Sequence, residues 1–195
     1  MPHLLSRDDI PTADEYETNR DQYRRQIMVQ KQPRRILIGS NCSVHIENRE
    51  IMRYQVLEVL RAEGTFDNDE SIEDELHAYN PMITQPGLLS ATLMFEYPTE
   101  PERQLHLPKL VGIDQHVWLQ VADTARVLGE FDGGQIDEHK VSSVQFIKFP
   151  LSDEQEEQIR TPGTVLRLVI DHPHYQAIAV LGEETRQAIA KDLSA

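Results

Sequence analysis

Leu89-Ser90-Ala91-Thr92-Leu93-Met94-Phe95-Glu96-Tyr97 is the stretch whose reading decides the fold. Leu89, Ala91, Leu93, Phe95 and Tyr97 are apolar at every second position. A period of two places them on one face of an extended strand, which that face buries. Outward toward the C-terminus, Val117-Leu119-Val121 repeats the pattern more briefly, with Trp118 turned the other way. Asp132-Gly133-Gly134 marks a turn before a strand over Val141 to Phe149. Ser152 opens a short acidic helix. Val165 to Ile170 and Tyr175 to Leu181 read as a hairpin closed over Asp171-His172-Pro173-His174, and a last helix runs from Glu183 to Leu193. Several of these strands are apolar on both faces, so either helices cover both sides of the sheet or a second subunit covers one.

Toward the N-terminus the period changes. Thr12 followed by Glu15 is a capping box: the hydroxyl caps free amides and the carboxylate reaches back. The helix it opens extends to about Gln32, where Pro33 stops it. Its apolar side is thin (Tyr16, Tyr23, Ile27), which suits a helix on the surface or against a partner. Arg34 to Ile38 and Cys42 to Ile46 form a hairpin around Gly39-Ser40-Asn41. A second helix spans about Arg49 to Ala62 and ends at Gly64. A third starts at Ser71, with Asp74 completing its box, and stops near Asn80-Pro81. No strand–helix–strand alternation runs through the second half. The expectation is therefore an α+β fold, with a mainly antiparallel sheet and an N-terminal group of helices packed on it. Residues 1–195 are read as one domain, helix-rich over 1–85 and strand-rich over 86–195.

With 39% hydrophobic and 27% charged residues the composition is that of a globular chain. No apolar run approaches the roughly 20 residues that cross a bilayer, and Met1 to Asp9 lacks the pattern of a secretory signal. Cys42, the single cysteine, makes no internal disulfide and suits a reducing compartment. A cytoplasmic protein without membrane contact is expected. Thirty-three acidic residues against nineteen basic give a net charge of −14, which repels polyphosphates and tells against nucleic-acid binding.

The charge is uneven. Arg20, Arg24, Arg25, Lys31, Arg34 and Arg35 fall within sixteen positions that hold one acid, Asp21. Arg20, Arg24, Arg25, Arg34 and Arg35 are the candidate partner-binding residues; the alternative is a solvated helix face whose charges pair locally.

Signals of familiar chemistry are missing: there is no Gly-rich phosphate loop, nucleophile elbow, Cys-x-x-Cys or His-Glu-x-x-His. A nucleophilic cysteine would have to be Cys42, which sits in a predicted strand as a buried small residue. On the second helix, Ile51, Met52, Val56, Val59 and Leu60 form an apolar arc that contains Gln55 and has Glu58 at its edge. On the third, Glu75 lies along the stripe of Ile72, Leu76 and Tyr79. If the two helices are antiparallel, Glu58 and Glu75 face each other. With Gln55 and Glu47 they would make a carboxylate site for a divalent metal; alternatively they reach water or pair with Arg53 and Arg61. Asp171, His172 and His174, joined by Asp114 and His116, are a second group that could take zinc or iron if the fold assembled it.

The order of several stretches resembles a bacterial family of proteins of unknown function, DUF3501. They are Glu15-Tyr16-Glu17 with Arg20, Arg34-Arg35 before a strand, His45-Ile46-Glu47-Asn48-Arg49-Glu50, and Gln55-Val56-Leu57-Glu58-Val59-Leu60-Arg61-Ala62-Glu63. Further on come Glu75-Leu76-His77-Ala78-Tyr79-Asn80, Phe146-Ile147-Lys148-Phe149-Pro150 and Asp171-His172-Pro173. The resemblance spans nearly the whole chain and carries no catalytic residues with it. Such proteins are encoded near rubrerythrins and iron–sulfur oxidoreductases, so the resemblance implies a role in redox or oxidative-stress metabolism. The leading expectation is an accessory or interaction protein, a homo-oligomer working beside a redox protein. The alternative is a metal-dependent or small-molecule-binding enzyme using Glu47, Gln55, Glu58 and Glu75.

Overall fold

A computed structural model describes residues 4–133 and 141–194. The capping box forms as expected. Thr12 Oγ1 accepts from Glu15 N, Glu15 Oε2 accepts from Thr12 N, and helix α1 runs from Ala13 to Lys31 before a short turn over Pro33. Strands β1 (Arg35–Leu37) and β2 (Cys42–Ile46) make the hairpin, and helix α2 (Arg49–Glu63) ends at Gly64 in the left-handed region. Helix α3 (Asp69–Tyr79) begins two residues before Ser71, because the Asn68 side chain caps the amides of Glu70 and Ser71.

Strand β3 (Leu88–Phe95) follows, and then a helix that the reading above did not include, α4 (Glu100–His106), opened by a Thr99/Glu102 box. Strands β4 (Val117–Val121), β5 (Val127–Leu128), β6 (Glu130–Phe131) and β7 (Val144–Pro150) lead to helix α5 (Asp153–Arg160). The expected turn at 132–134 reaches Gly134, which lies outside the described residues. Strands β8 (Leu166–His172) and β9 (Tyr175–Val180) and helix α6 (Glu183–Asp192) complete the chain. Asp171 and His172, read as turn residues, are paired strand residues opposite Gln176 and Tyr175, and only Pro173-His174 turns.

The α+β class and the antiparallel pairing hold, in two sheets instead of one. Their orders are β1-β2-β3-β7-β6 and β5-β4-β8-β9, with every pair antiparallel. The inner faces of both meet in one apolar cluster, including Val44, Leu93 and Phe149 from the first sheet and Leu119, Leu168 and Ile170 from the second. A second cluster joins α1, α2 and α3 through Tyr16, Ile27, Val56, Leu60, Phe66 and Ile72, and Phe146 of β7 packs against it. The two clusters are also tied by polar contacts. Arg34 binds Asp192 at 2.5 and 3.1 Å, and the Thr185 hydroxyl donates to the Pro33 carbonyl. Gly39, at φ 75, is required by the β1–β2 turn, since a Cβ there would stand 2.6 Å from the Tyr175 hydroxyl. That hydroxyl donates to Ile38 O and accepts from Asn41 N, pinning the turn to β9.

Candidate functional site

Alternation in β2 divides its side chains. Cys42, Val44 and Ile46 enter the core, whereas Ser43 and His45 lie on the other face of the sheet. Register then builds two rows across four strands of that outer face: Arg35, His45, Thr92 and Phe146, and beside them Leu37, Ser43, Met94 and Val144. The helical cluster covers the Phe146 end. At the other end the last turn of α1 overhangs the sheet and leaves a cleft lined by Met28, Lys31, Gln32, Arg35, Leu37 and His45.

A chain of hydrogen bonds underlies the cleft. Arg35 Nη2 donates to both carboxylate oxygens of Glu96 at 2.9 and 3.0 Å, and Ser43 Oγ donates to Glu96 Oε1 at 2.9 Å. Ser43 Oγ also lies 3.0 Å from His45 Nε2. A hydroxyl has one proton, and Glu96 takes it, so His45 must donate from Nε2 and keeps Nδ1 as an acceptor. Burial, then the Arg35 charge, hold the His45 pKa below its ordinary value, which leaves the ring neutral at pH 7. For Glu96 burial acts upward, but the hydrogen bonds from Ser43 and Arg35 outweigh it and hold the carboxyl low. Glu47, at the end of β2, is buried and accepts from Thr92 Oγ1 at 2.7 Å. Burial pushes its carboxyl up, opposed by that bond and by the Lys31 and Arg34 charges.

The arrangement commits the chain's own carboxylates, Glu96 and Glu47, to hydrogen bonds and leaves His45 Nδ1 as an acceptor; neither Ser43 nor Cys42 is set up as a nucleophile. Ser43 is fully buried and its proton is committed to Glu96. Cys42 is buried too, and burial drives its thiol far above the ordinary range.

The basic run divides once folded. Arg24 and Arg25 are exposed on α1 and form no ion pair among the described residues. Arg35 borders the cleft. Arg20 and Arg34 are not free docking groups: Arg20 grips Glu58 with Nε and Nη2 at 2.8 and 2.7 Å, and Arg34, 6% exposed, is sunk against Asp192. Beside the free arginines stand Met28, Val29 and Leu37, exposed by 59%, 64% and 63%.

Nor does the fold bring the three acids of the expected metal site together. Glu58 turns to α1, accepting from Tyr16 Oη at 2.6 Å as well as from Arg20. Glu47 is on the sheet with Thr92. Glu75, half-buried on α3, is pushed up by burial and by the Glu63 and Asp74 charges. Arg61 pairs with Glu17, and Arg53 donates to the Asp9 carbonyl. The histidine group does gather. His116 Nδ1 lies 3.0 Å from Asp171 Oδ1, and the His116 and His172 rings stand 5.1 Å apart. Both ring nitrogens of His172 are engaged by backbone, however: Nε2 with Val111 O and Nδ1 with His174 N. Asp114 accepts from Gln115. Among the described residues, no group of three or more His, Cys, Asp and Glu side chains is placed to hold a metal ion.

The Glu58 cluster has a consequence in acid. Hydrogen bonds, first from Arg20 and then from Tyr16, hold its carboxyl at about 2, below an unfolded-state value near about 4.3. A depressed folded pKa contributes stability above the unfolded value and loses it as pH falls toward 2. Glu58→Gln is expected to cost about 1–2 kcal/mol near neutral pH, since the cluster is partly open to solvent. The gap between the urea midpoints of parent and variant should narrow as pH falls from about 4.3 toward about 2; a gap unchanged from neutral pH would refute the assignment.

Ser43, Thr92, Glu96 and Lys31 were not among the residues expected to form a site. The 43/45/47 alternation in β2 is the signal that would have found Ser43 and His45. These features define an α+β protein of two antiparallel sheets with a polar, helix-roofed outer face. The chain belongs to the family described as a protein of unknown function, DUF3501, whose profile matches residues 4–193. It is similar to a novel protein of unknown function from Burkholderia pseudomallei K96243, known from a crystal structure. The two share 34% sequence identity and superpose with a TM-score of 0.90, over 98% of this chain and 100% of that one. No curated protein matches the chain. Among the described residues, no helix is long and apolar enough to cross a membrane.

Proposed function

We propose that this chain is an interaction protein that docks an acidic partner on the C-terminal half of α1 and the adjoining β1. The observation that carries the reading is the pairing of exposed apolar side chains, Met28, Val29 and Leu37, with arginines, Arg24 and Arg25, that form no ion pair among the described residues. Apolar area of this kind is where binding energy concentrates, and a basic rim selects and steers an acidic counterpart. In a chain of net charge −14, such a basic patch stands apart from the acidic remainder and favours a partner of opposite sign. The redox setting implied by the family resemblance names the first partners to try, rubrerythrin-type and iron–sulfur oxidoreductases.

The test is capture of a partner from a native host by the parent chain and by Arg24→Glu/Arg25→Glu. The double variant should fold normally and lose at least about tenfold in affinity, roughly 1.4 kcal/mol, with the parent's binding weakening as salt rises. Equal capture by both chains would sink the assignment.

A second observation favours self-association elsewhere. On the outer face of the second sheet, register aligns Leu128, Trp118, Val169 and Ile178 in one apolar row that reaches the edge strand β9. Ile178 and Val180 are 63% and 64% exposed there, and β9 carries no charged residue. Edge strands of this kind usually carry protective charges. An uncharged seam lets two acidic copies pair without bringing like charges together. Sedimentation should give a dimer for the parent and a monomer for Ile178→Lys; identical masses would remove the dimer from the account.

A further inference from the structure

The cleft under α1 has a volume of about 480 Å³, and its lining is specific enough to name a ligand chemistry. We infer that it binds one carboxylate group carried on a short apolar stem, with Lys31 as the cation, His45 as the polar neighbour, and Met28 and Leu37 against the stem. The inference deepens the docking reading, because the carboxylate belongs either to an acidic side chain of the partner or to a free short-chain acid.

Of the two cations in the lining, Arg35 is already neutralised by Glu96, whereas Lys31 forms no ion pair among the described residues. Lys31 is half-buried, and its charge is felt by both His45 and Glu47. One uncommitted ammonium matches a single negative charge. A dianion would meet the carboxylates of Glu96 and Glu47 without a second free cation, so a phosphate is disfavoured. The relay from Glu96 through Ser43 turns His45 Nε2 toward a fully buried hydroxyl, leaving Nδ1 as the ring's open acceptor. The groups around that ring are Lys31 on α1, Arg35 on β1, Ser43 on its own strand and Glu96 beyond β3. An anion bound among them favours the protonated ring, so occupancy should move the His45 titration upward. Met28 and Leu37, both more than half exposed, bury their apolar surface only when the stem is present.

The test is a titration of the full chain followed by NMR of the His45 ring and the Lys31 side chain. The probes are butyrate, a blocked Glu-Leu dipeptide and inorganic phosphate. Butyrate or the dipeptide should shift both residues saturably and raise the His45 pKa, with phosphate weaker than either. Lys31→Gln should reduce affinity at least about tenfold, the size of one charge-assisted hydrogen bond. Leu37→Ser, a second exposed substitution, should weaken butyrate more than acetate. Tighter binding of the dipeptide supports a partner side chain as the source, and tighter binding of butyrate supports a free acid. Three results would each overturn the inference: no saturable shift with either carboxylate, affinity unchanged in Lys31→Gln, or phosphate binding best. None of these titrations needs a partner. A chain that binds butyrate but captures no protein removes the docking reading alone, and a chain that captures a partner but binds neither carboxylate removes this inference alone.

Discussion

Replacing Tyr16 with alanine is expected to destabilise the chain by about 3–5 kcal/mol, the range for emptying a buried aromatic site. Helix α1 has few apolar side chains to hold it. Tyr16 and Ile27 are its buried ones, and Tyr16 is fully enclosed, stacked on Tyr23 at 5.8 Å and tilted against Phe66 at 5.5 Å. Its hydroxyl also completes the Glu58 cluster at 2.6 Å. Truncation leaves a cavity and removes that donor, so α1 loosens together with the surface it presents. Urea unfolding monitored by circular dichroism measures the loss. Tyr16→Phe, which keeps the ring, should forfeit only about 1 kcal/mol. Equal losses in the two variants would mean that ring packing is not what holds the helix.

A loss of similar size, about 3–5 kcal/mol, is expected for Asp192→Ala. The Arg34–Asp192 pair is nearly closed to water, with side chains 7% and 10% exposed, and Asn48 adds a contact to Asp192 at 3.4 Å. Removing the carboxylate strands a guanidinium that cannot shed its proton in an enclosed site. Much of the cost lies in that stranded charge, so adding Arg34→Met to Asp192→Ala should restore part of the stability. A double variant weaker than Asp192→Ala alone would contradict this account. Because the pair ties α6 to the chain after α1, both substitutions should move one shared unfolding transition if the helical and sheet clusters form a single domain. Two separated transitions would instead divide the chain in two.

How much of this was legible follows the range of the forces involved. The alternation through Leu89–Tyr97, the Thr12/Glu15 box and the Gly64 stop are local, and each gave its element within about two residues. Ser71 has cap chemistry too, but Asn68, an equally good acceptor three residues earlier, takes the amides of Glu70 and Ser71 and starts the helix sooner. The Thr99/Glu102 box was equally visible, but the helix it opens has seven residues between prolines, too few to show a period. Asp171-His172 looked like turn chemistry until pairing with β9 drew both into a strand. Arg34 illustrates the limit. In sequence it is one more charge in a basic run, and what buries it is an aspartate 158 positions away. The cleft has the same character: the second face of β2 can be read from its polar alternation, but the approach of Glu96 and Lys31 depends on strand order and on where α1 ends.

Hydrogen exchange of the chain alone and with a captured partner tests the central claim most directly. The docking reading predicts slowed exchange over residues 24–37, on the last two turns of α1 and on β1, with β9 unchanged by that partner. Protection confined to β9 and the Trp118 face, with residues 24–37 exchanging as in the free chain, would contradict it.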